Sequence, residues 1–440
     1  VLLRFAGESR DDIYAADYVD PFIGTNGMGH TFPGACVPFG AVQLSPDTDT
    51  IPHNVNGVYQ KRAYEYCAGY RHGDKTIVGF SHTHLSGTGH SDLGDILVMP
   101  SVGDVKLNPG TADDPDSGYR SRFSHESESA SPGYYAVTLD DSGVRAELTA
   151  TARTGVHRYT FPENADGHVV LDLAHGIYNY DGKVLWSTLR VESDTLITGY
   201  RITNGWARTN YTYFAISFSQ PVTDYGYEDR APVPYNGFWR RFDVNSNFPE
   251  IAGRKVAAYF RFDTRREREL VVKVALSAVS TEGAVANLRA EVAGRSFDEI
   301  AAAARKAWND NMGRFEIEGT EDQRTMFYTS LYHTMINPSV YMDVDGSYRG
   351  VDHNIHHADG FTNYTVFSLW DTYRAEHPFL NLFFPQRNAD MVRSMAGNPL
   401  VMALANPDPE ISYDAPAVIM EGWLDAVTEV EDISTVIGGR

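Results

Sequence analysis

From about residue 13 to 280 the apolar positions recur every second residue, in short runs closed by turn-forming residues. Residues 134–139 form one such run, Asp140-Asp141-Ser142-Gly143 supplies a turn, and 144–149 alternates again. Residues 156–161 keep period two and stop at Pro162, and 168–173, 195–202, 211–218, 256–262 and 270–279 read the same way. So many closely spaced strands, with no helical pattern among them, predict a large antiparallel β-sandwich. Near residue 281 the period lengthens to that of a helix. Ser296 and Glu299 make a capping box ahead of Phe297, Ile300, Ala301, Ala304 and Trp308. Phe327, Leu331 and Met335 mark a second helix over 321–336. A third is expected over 367–376, ahead of Pro378, and a fourth over about 387–395. The predicted division is a β domain over 13–285, a helical domain over 290–395 and a tail over 396–440, with the change of period placed at 280–295.

Composition narrows the function classes. The net charge of −21 argues against a nucleic-acid or anionic-membrane partner. No apolar run is long enough for a membrane span. Aromatic residues make up 12% of the chain, which serves packing and also suits sugars, whose C–H faces stack on rings. Cys36 and Cys67 allow one bridge at most and no disulfide scaffold. The chain opens on Val1 with no legible signal peptide, so its compartment stays open.

The densest chemistry lies in residues 79–95, GFSHTHLSGTGHSDLGD. Polar side chains on glycine-hinged backbone suit a polyhydroxylated ligand or a metal. His82 and His84, two apart, would project from one face of a strand and share a ligand or metal. The plainer reading is a pair of hydrogen-bonded histidines in a polar cleft, since no third ligand follows at a metal-site spacing. Asp92 and Asp95 are expected to bond the loop's own backbone N–H groups. In the glycine- and proline-rich segment 20–47, exposed amides can bond ligand hydroxyls, or the glycines can merely satisfy turns; both readings stand. In 368–377, Asp371 and Arg374 share a helical face and Trp370 lies four before Arg374, which reads as a ligand pocket rather than a surface ion pair. The histidine-rich stretch 353–359 fits no metal template. The 58 acidic residues offer no spacing that selects a catalytic pair.

Taken together, the segments YVDPFIGT (18–25), FPGA (32–35), VPFG (37–40), GFSHTHLSGTG (79–89), FSHE (123–126), SPGYY (131–135), FYTSLYH (327–333) and SLWDTYR (368–374) resemble glycoside hydrolase family 92, calcium-dependent exo-acting α-mannosidases. The resemblance implies an N-terminal β-sandwich followed by an (α/α)6 barrel, here an incomplete one, with the active site between them. It implies an α-mannoside glycan as substrate and an inverting reaction, in which an acid and a base stand roughly 6.5–9.5 Å apart. Calcium is the expected cofactor, and a secreted, periplasmic or cell-surface setting is implied. Carried over by position, Gly24 and Thr25 would lie near the terminal mannose, His82 and His84 would shape the cleft, and Trp370 and Asp371 would contact the sugar with Arg374 in support. The family's acid, base and calcium ligands are expected downstream, in Gly-Asn-Glu and Gly-Asn-Asp-Asp segments that this chain does not contain. Glu410, Asp414 and Glu421 map onto none of them. The expectation is therefore a family 92 polypeptide that is inactive by itself, with a non-catalytic mannose-binding protein or fragment as the alternative.

Overall fold

The computed structural model describes residues 2–5, 14–49, 51–87, 89–90, 92–232 and 248–395. They fall into two compact units that divide between Ile336 and Asn337. Among the described residues the first unit holds two large antiparallel sheets. The nine-stranded sheet runs, in spatial order, Ser129–Ser131, Tyr134–Leu139, Val144–Ala150, Thr154–Thr160, Glu269–Ser277, Asn210–Phe218, Leu196–Thr203, Val184–Val191 and Glu250–Gly253. The seven-stranded sheet runs Asp224–Asp229, Val256–Arg261, Gly167–Asp172, Leu97–Val102, Gly79–Ser81, Gln43–Asp47 and Ala35–Cys36.

Alternation fixes how the sheets face each other. In the hairpin of Val144–Ala150 with Thr154–Thr160, Leu148 is opposite His157 and Ala146 opposite Tyr159, all buried. Between them Glu147 is opposite Arg158, and the two pair at 2.8 Å on the other face. The inward residues of both sheets form one core, with Leu148, Tyr159, Val272 and Phe214 from one sheet and Val98, Val170, Ala258 and Phe260 from the other. Phe218 meets Phe260 and Phe262 across the gap with ring centres 5.5 and 5.0 Å apart. This is a β-sandwich, as the period-two pattern implies.

Six α-helices follow among the described residues: α1 (Thr281–Val292), α2 (Phe297–Met312), α3 (Glu321–His333), α4 (Leu369–Thr372), α5 (Glu376–Phe383) and α6 (Pro385–Met395). In α1 and α2, Ala284, Leu288, Val292, Phe297 and Ile300 cover Val156, Ala215 and Ala275 on the outer face of the nine-stranded sheet. The Ser296–Glu299 capping box forms as expected, and Thr320 with Gln323 makes another ahead of α3. The third expected helix differs. It breaks after Thr372, and α5 resumes at Glu376 with Pro378 inside its first turn. Proline is tolerated there because the first-turn N–H groups have no intrahelical acceptor. The stretch 353–359 belongs to an exposed hairpin of Ser347–Arg349 with Ile355–His357.

Candidate functional site

The segment rich in histidine leaves the sandwich at Ser81 and folds back over strand Gln43–Asp47. His84 Nδ1 donates to Gln43 O (2.7 Å) and its Nε2 to Asp47 Oδ1 (2.8 Å), and both side chains are wholly buried. Each ring nitrogen faces an acceptor, so the ring donates twice. His175 Nε2 takes the second carboxylate oxygen, Oδ2, at 2.8 Å. Burial alone would raise the Asp47 carboxyl. The charge of His84 and the hydrogen bonds from both imidazoles outweigh it and hold Asp47 well below the usual carboxylate range. Gly69, at φ +77°, makes room for the clamp, because a Cβ there would lie 2.1 Å from Asp47 Oδ1.

A second chain of bonds lies beside it and is neutral. Tyr159 O–H donates to His157 Nδ1 (2.8 Å), leaving the His157 proton on Nε2. That proton goes to His82 Nε2 (3.0 Å), and His82 Nδ1–H donates to Ile96 O (2.6 Å). Burial pushes His82 down to about 4 and His157 well below its ordinary value, while Tyr159 rises. The loop is closed by a buried ion pair, Arg201 Nε to Asp95 Oδ1 at 2.7 Å, with Thr83 Oγ1 on the other carboxylate oxygen at 2.6 Å. Arg201 also donates to the carbonyls of Gly94, Leu173 and His175. Lys183, buried beside this pair, is lowered to about 8 by desolvation.

His82 and His84 are therefore fully enclosed and hold the loop through protein partners. Asp92 and Asp95 depart from the sequence expectation. Asp92 accepts the N–H groups of Trp206 and Ala207 from another loop, at 3.0 and 3.2 Å, and Asp95 pairs with Arg201. Gly24, at φ +87°, closes an exposed turn whose Thr25 Oγ1 donates inward to Phe22 O (2.7 Å). The turn is stitched to the histidine segment: His30 O accepts from Gly87 N (2.7 Å), and Phe32 packs on the His84 ring at 5.3 Å. Gly24, Thr25, His82 and His84 thus belong to one connected region of the first unit. Trp206, half-exposed and stacked on His90 with ring centres 4.5 Å apart, adds an aromatic face that the sequence reading missed.

In the second unit, Asp371 is exposed and accepts from Ser368 Oγ one turn earlier. Trp370 lends its backbone to α4, and its side chain lies outside the described residues. Arg374 follows α4, its guanidinium 5.6 Å from the Tyr373 ring centre. Glu376 was not anticipated. Burial, and secondarily the charge of Asp371, push its carboxyl up to about 8. At neutral pH it is a protonated carboxyl, able to donate a hydrogen bond or a proton. The tail 396–440, with Glu410, Asp414 and Glu421, lies outside the described residues.

Among the described residues the grouping of three possible metal-ligating side chains is His72, His125 and Glu128, which brings two nitrogens where calcium requires six to eight oxygens. Cys36 and Cys67 are both buried and unbridged. No helix among the described residues is long and apolar enough to cross a membrane.

Known proteins are similar to this chain in sequence and fold. The α-mannosidase BT3965 of Bacteroides thetaiotaomicron, solved in complex with mannoimidazole, is 44% identical over 87% of this chain, with a TM-score of 0.78. The inverting mannosidase BT2199 of the same organism is 27% identical over 96% of the chain, with a TM-score of 0.74. A protein of Arthroderma benhamiae described as an uncharacterized secreted glycosidase is 27% identical over 77% of the chain. These matches cover 48%, 54% and 43% of the respective relatives, so the chain spans about half their length. Residues 18–277 match the model of the glycosyl hydrolase family 92 N-terminal domain and residues 283–398 that of the family's catalytic domain. With sandwich, histidine segment and helical region all matched in order, this chain belongs to glycosyl hydrolase family 92.

Proposed function

We propose that the protein to which these residues belong releases terminal α-linked mannose from glycans, by an inverting, calcium-assisted hydrolysis. The observation that carries this reading is the 44% identity to an α-mannosidase that holds mannoimidazole, over both the sandwich and the start of the helical region. The secreted description of the Arthroderma relative supports an extracytoplasmic setting.

Within the chain, the role of the buried network is to position. The His84–Asp47–His175 clamp and the Arg201–Asp95 pair fix the loop that carries Gly87 against the turn of Gly24 and Thr25, which the resemblance assigns to the terminal mannose. Asp371 is the proposed sugar-hydroxyl acceptor, with Trp370 as the ring that stacks on the sugar and Arg374 in support. Glu376 has the protonation of an acid, but an inverting pair also needs a carboxylate that activates water from the opposite face. The resemblance places that partner and the calcium donors in Gly-Asn-Glu and Gly-Asn-Asp-Asp segments, which these 440 residues do not contain. The 440 residues alone are accordingly proposed to bind α-mannosides with little or no turnover. Incubation with an aryl α-mannoside, with calcium and then with chelator, tests this: release above the blank that chelator abolishes would overturn the inactivity, and NMR of the released anomer would test inversion.

A further inference from the structure

Outside this network, three potential ligands converge from two short segments of the first unit. His72 stands in the loop that follows the 3-10 turn Lys61–Tyr66, and His125 and Glu128 lie at either end of the turn His125–Ser127. One donor atom from each lies within 4.8 Å of the others. The two imidazole rings face each other with centres 4.2 Å apart and planes tilted by 31°. His125 Nδ1 is 2.5 Å from Glu128 Oε2.

The carboxylate is unusually well held for a group at the surface end of a hairpin. Tyr135 O–H donates to Glu128 Oε1 at 2.5 Å, and Tyr70 O–H reaches both oxygens at 3.2 and 3.1 Å. The Glu128 side chain is 1% exposed, whereas His125 is 34% exposed and His72 is open to solvent. The result is a buried, oriented carboxylate beneath two accessible imidazoles.

We propose that His72, His125 and Glu128 form a site for a divalent transition-metal ion of the zinc class, separate from the calcium expected of the family. Two imidazoles and one carboxylate, with a further position open to water, are a donor set that zinc accepts and calcium does not. Zinc at about 2.0–2.2 Å from each donor needs its ligand atoms roughly 3.3–3.5 Å apart, a spacing that side-chain rotation brings within reach. Tyr70 and Tyr135 are the outer groups that orient the carboxylate. The ion would also brace the Gly24–Thr25 turn, because His72 N donates to Thr25 O at 2.9 Å.

The full chain can be titrated with Zn²⁺ against a chromophoric chelator, and with Co²⁺ followed by visible absorption. A single ion per chain is expected, with Co²⁺ giving the intense visible bands of a low-coordinate site. His72→Ala, at an exposed position that leaves the fold intact, and His125→Ala should each weaken binding by about tenfold or more. His356→Ala on the exposed hairpin should change nothing, and Ca²⁺ should not compete. Zn²⁺ should raise the melting temperature of the parent chain and not that of His72→Ala. Absence of Zn²⁺ binding, or an affinity unchanged in both His72→Ala and His125→Ala, would overturn the proposal. Neither outcome depends on whether the chain binds mannose.

Discussion

His84 Nε2 lies 2.8 Å from Asp47 Oδ1, with both side chains sealed from solvent. A buried ion pair adds little over apolar packing, but removing one partner strands the other charge. Asp47→Ala should therefore cost about 3–5 kcal/mol of unfolding free energy. The Asp47 carboxyl titrates below its ordinary 3.8, so its contribution is complete above that value and is lost as pH falls through the folded pKa. Urea denaturation of both proteins at neutral and acid pH reads the difference, which should shrink in acid.

The neutral chain from Tyr159 through His157 to His82 gives a smaller, separable effect. Tyr159→Phe removes the hydroxyl that donates to His157 Nδ1 and leaves that buried nitrogen without its partner. A loss of about 1–2 kcal/mol is expected, with no change of fold. Denaturant midpoints, with circular dichroism as the check on structure, measure it.

Glu376 reverses the usual carboxylate sign. Its folded pKa, about 8, lies above the ordinary 4.5, so the folded state holds the proton more tightly. Stability from this group is full below the unfolded pKa and is lost as pH rises through the folded one. Melting curves between about pH 5 and pH 9 should fall for the parent and lie flatter for Glu376→Gln. Identical slopes would show that the carboxyl is ionised throughout.

Much of the architecture could be read from alternation, because buried strands impose it directly. Tyr134–Leu139 coincides with its expected bounds, and Val256–Arg261 falls one residue short at its end. Val184–Val191 was not anticipated, since Leu185 and Trp186 are exposed apolar residues that blur the pattern. Asp224–Asp229 was missed because its run of tyrosines is bounded by acids and interrupted by Gly226. The site was harder to read for a physical reason. Asp47, His84 and His175 meet only after the sheet has formed, and nothing in their spacing announces it. Likewise Asp92 looks like a turn former, yet its carboxylate holds a loop more than a hundred residues away. His82 and His84 stand out in the sequence as a pair, and the fold assigns them to two different networks.

Asp371 carries the proposed contact to sugar hydroxyls. A hydrogen bond to a charged group is worth about 1.5–3 kcal/mol, so Asp371→Ala should weaken α-mannoside affinity by about tenfold or more. Asp371 is exposed, so global stability should change little. Calorimetry for binding and a melting curve for stability separate the two effects.

Recognition of mannose itself is tested most directly by titrating mannoimidazole, and a gluco-configured analogue, into the 440-residue chain. Saturable binding is expected, with the manno compound favoured by about tenfold, or roughly 1.4 kcal/mol. No binding of mannoimidazole, or equal affinity for the gluco analogue, would contradict α-mannoside recognition by this chain.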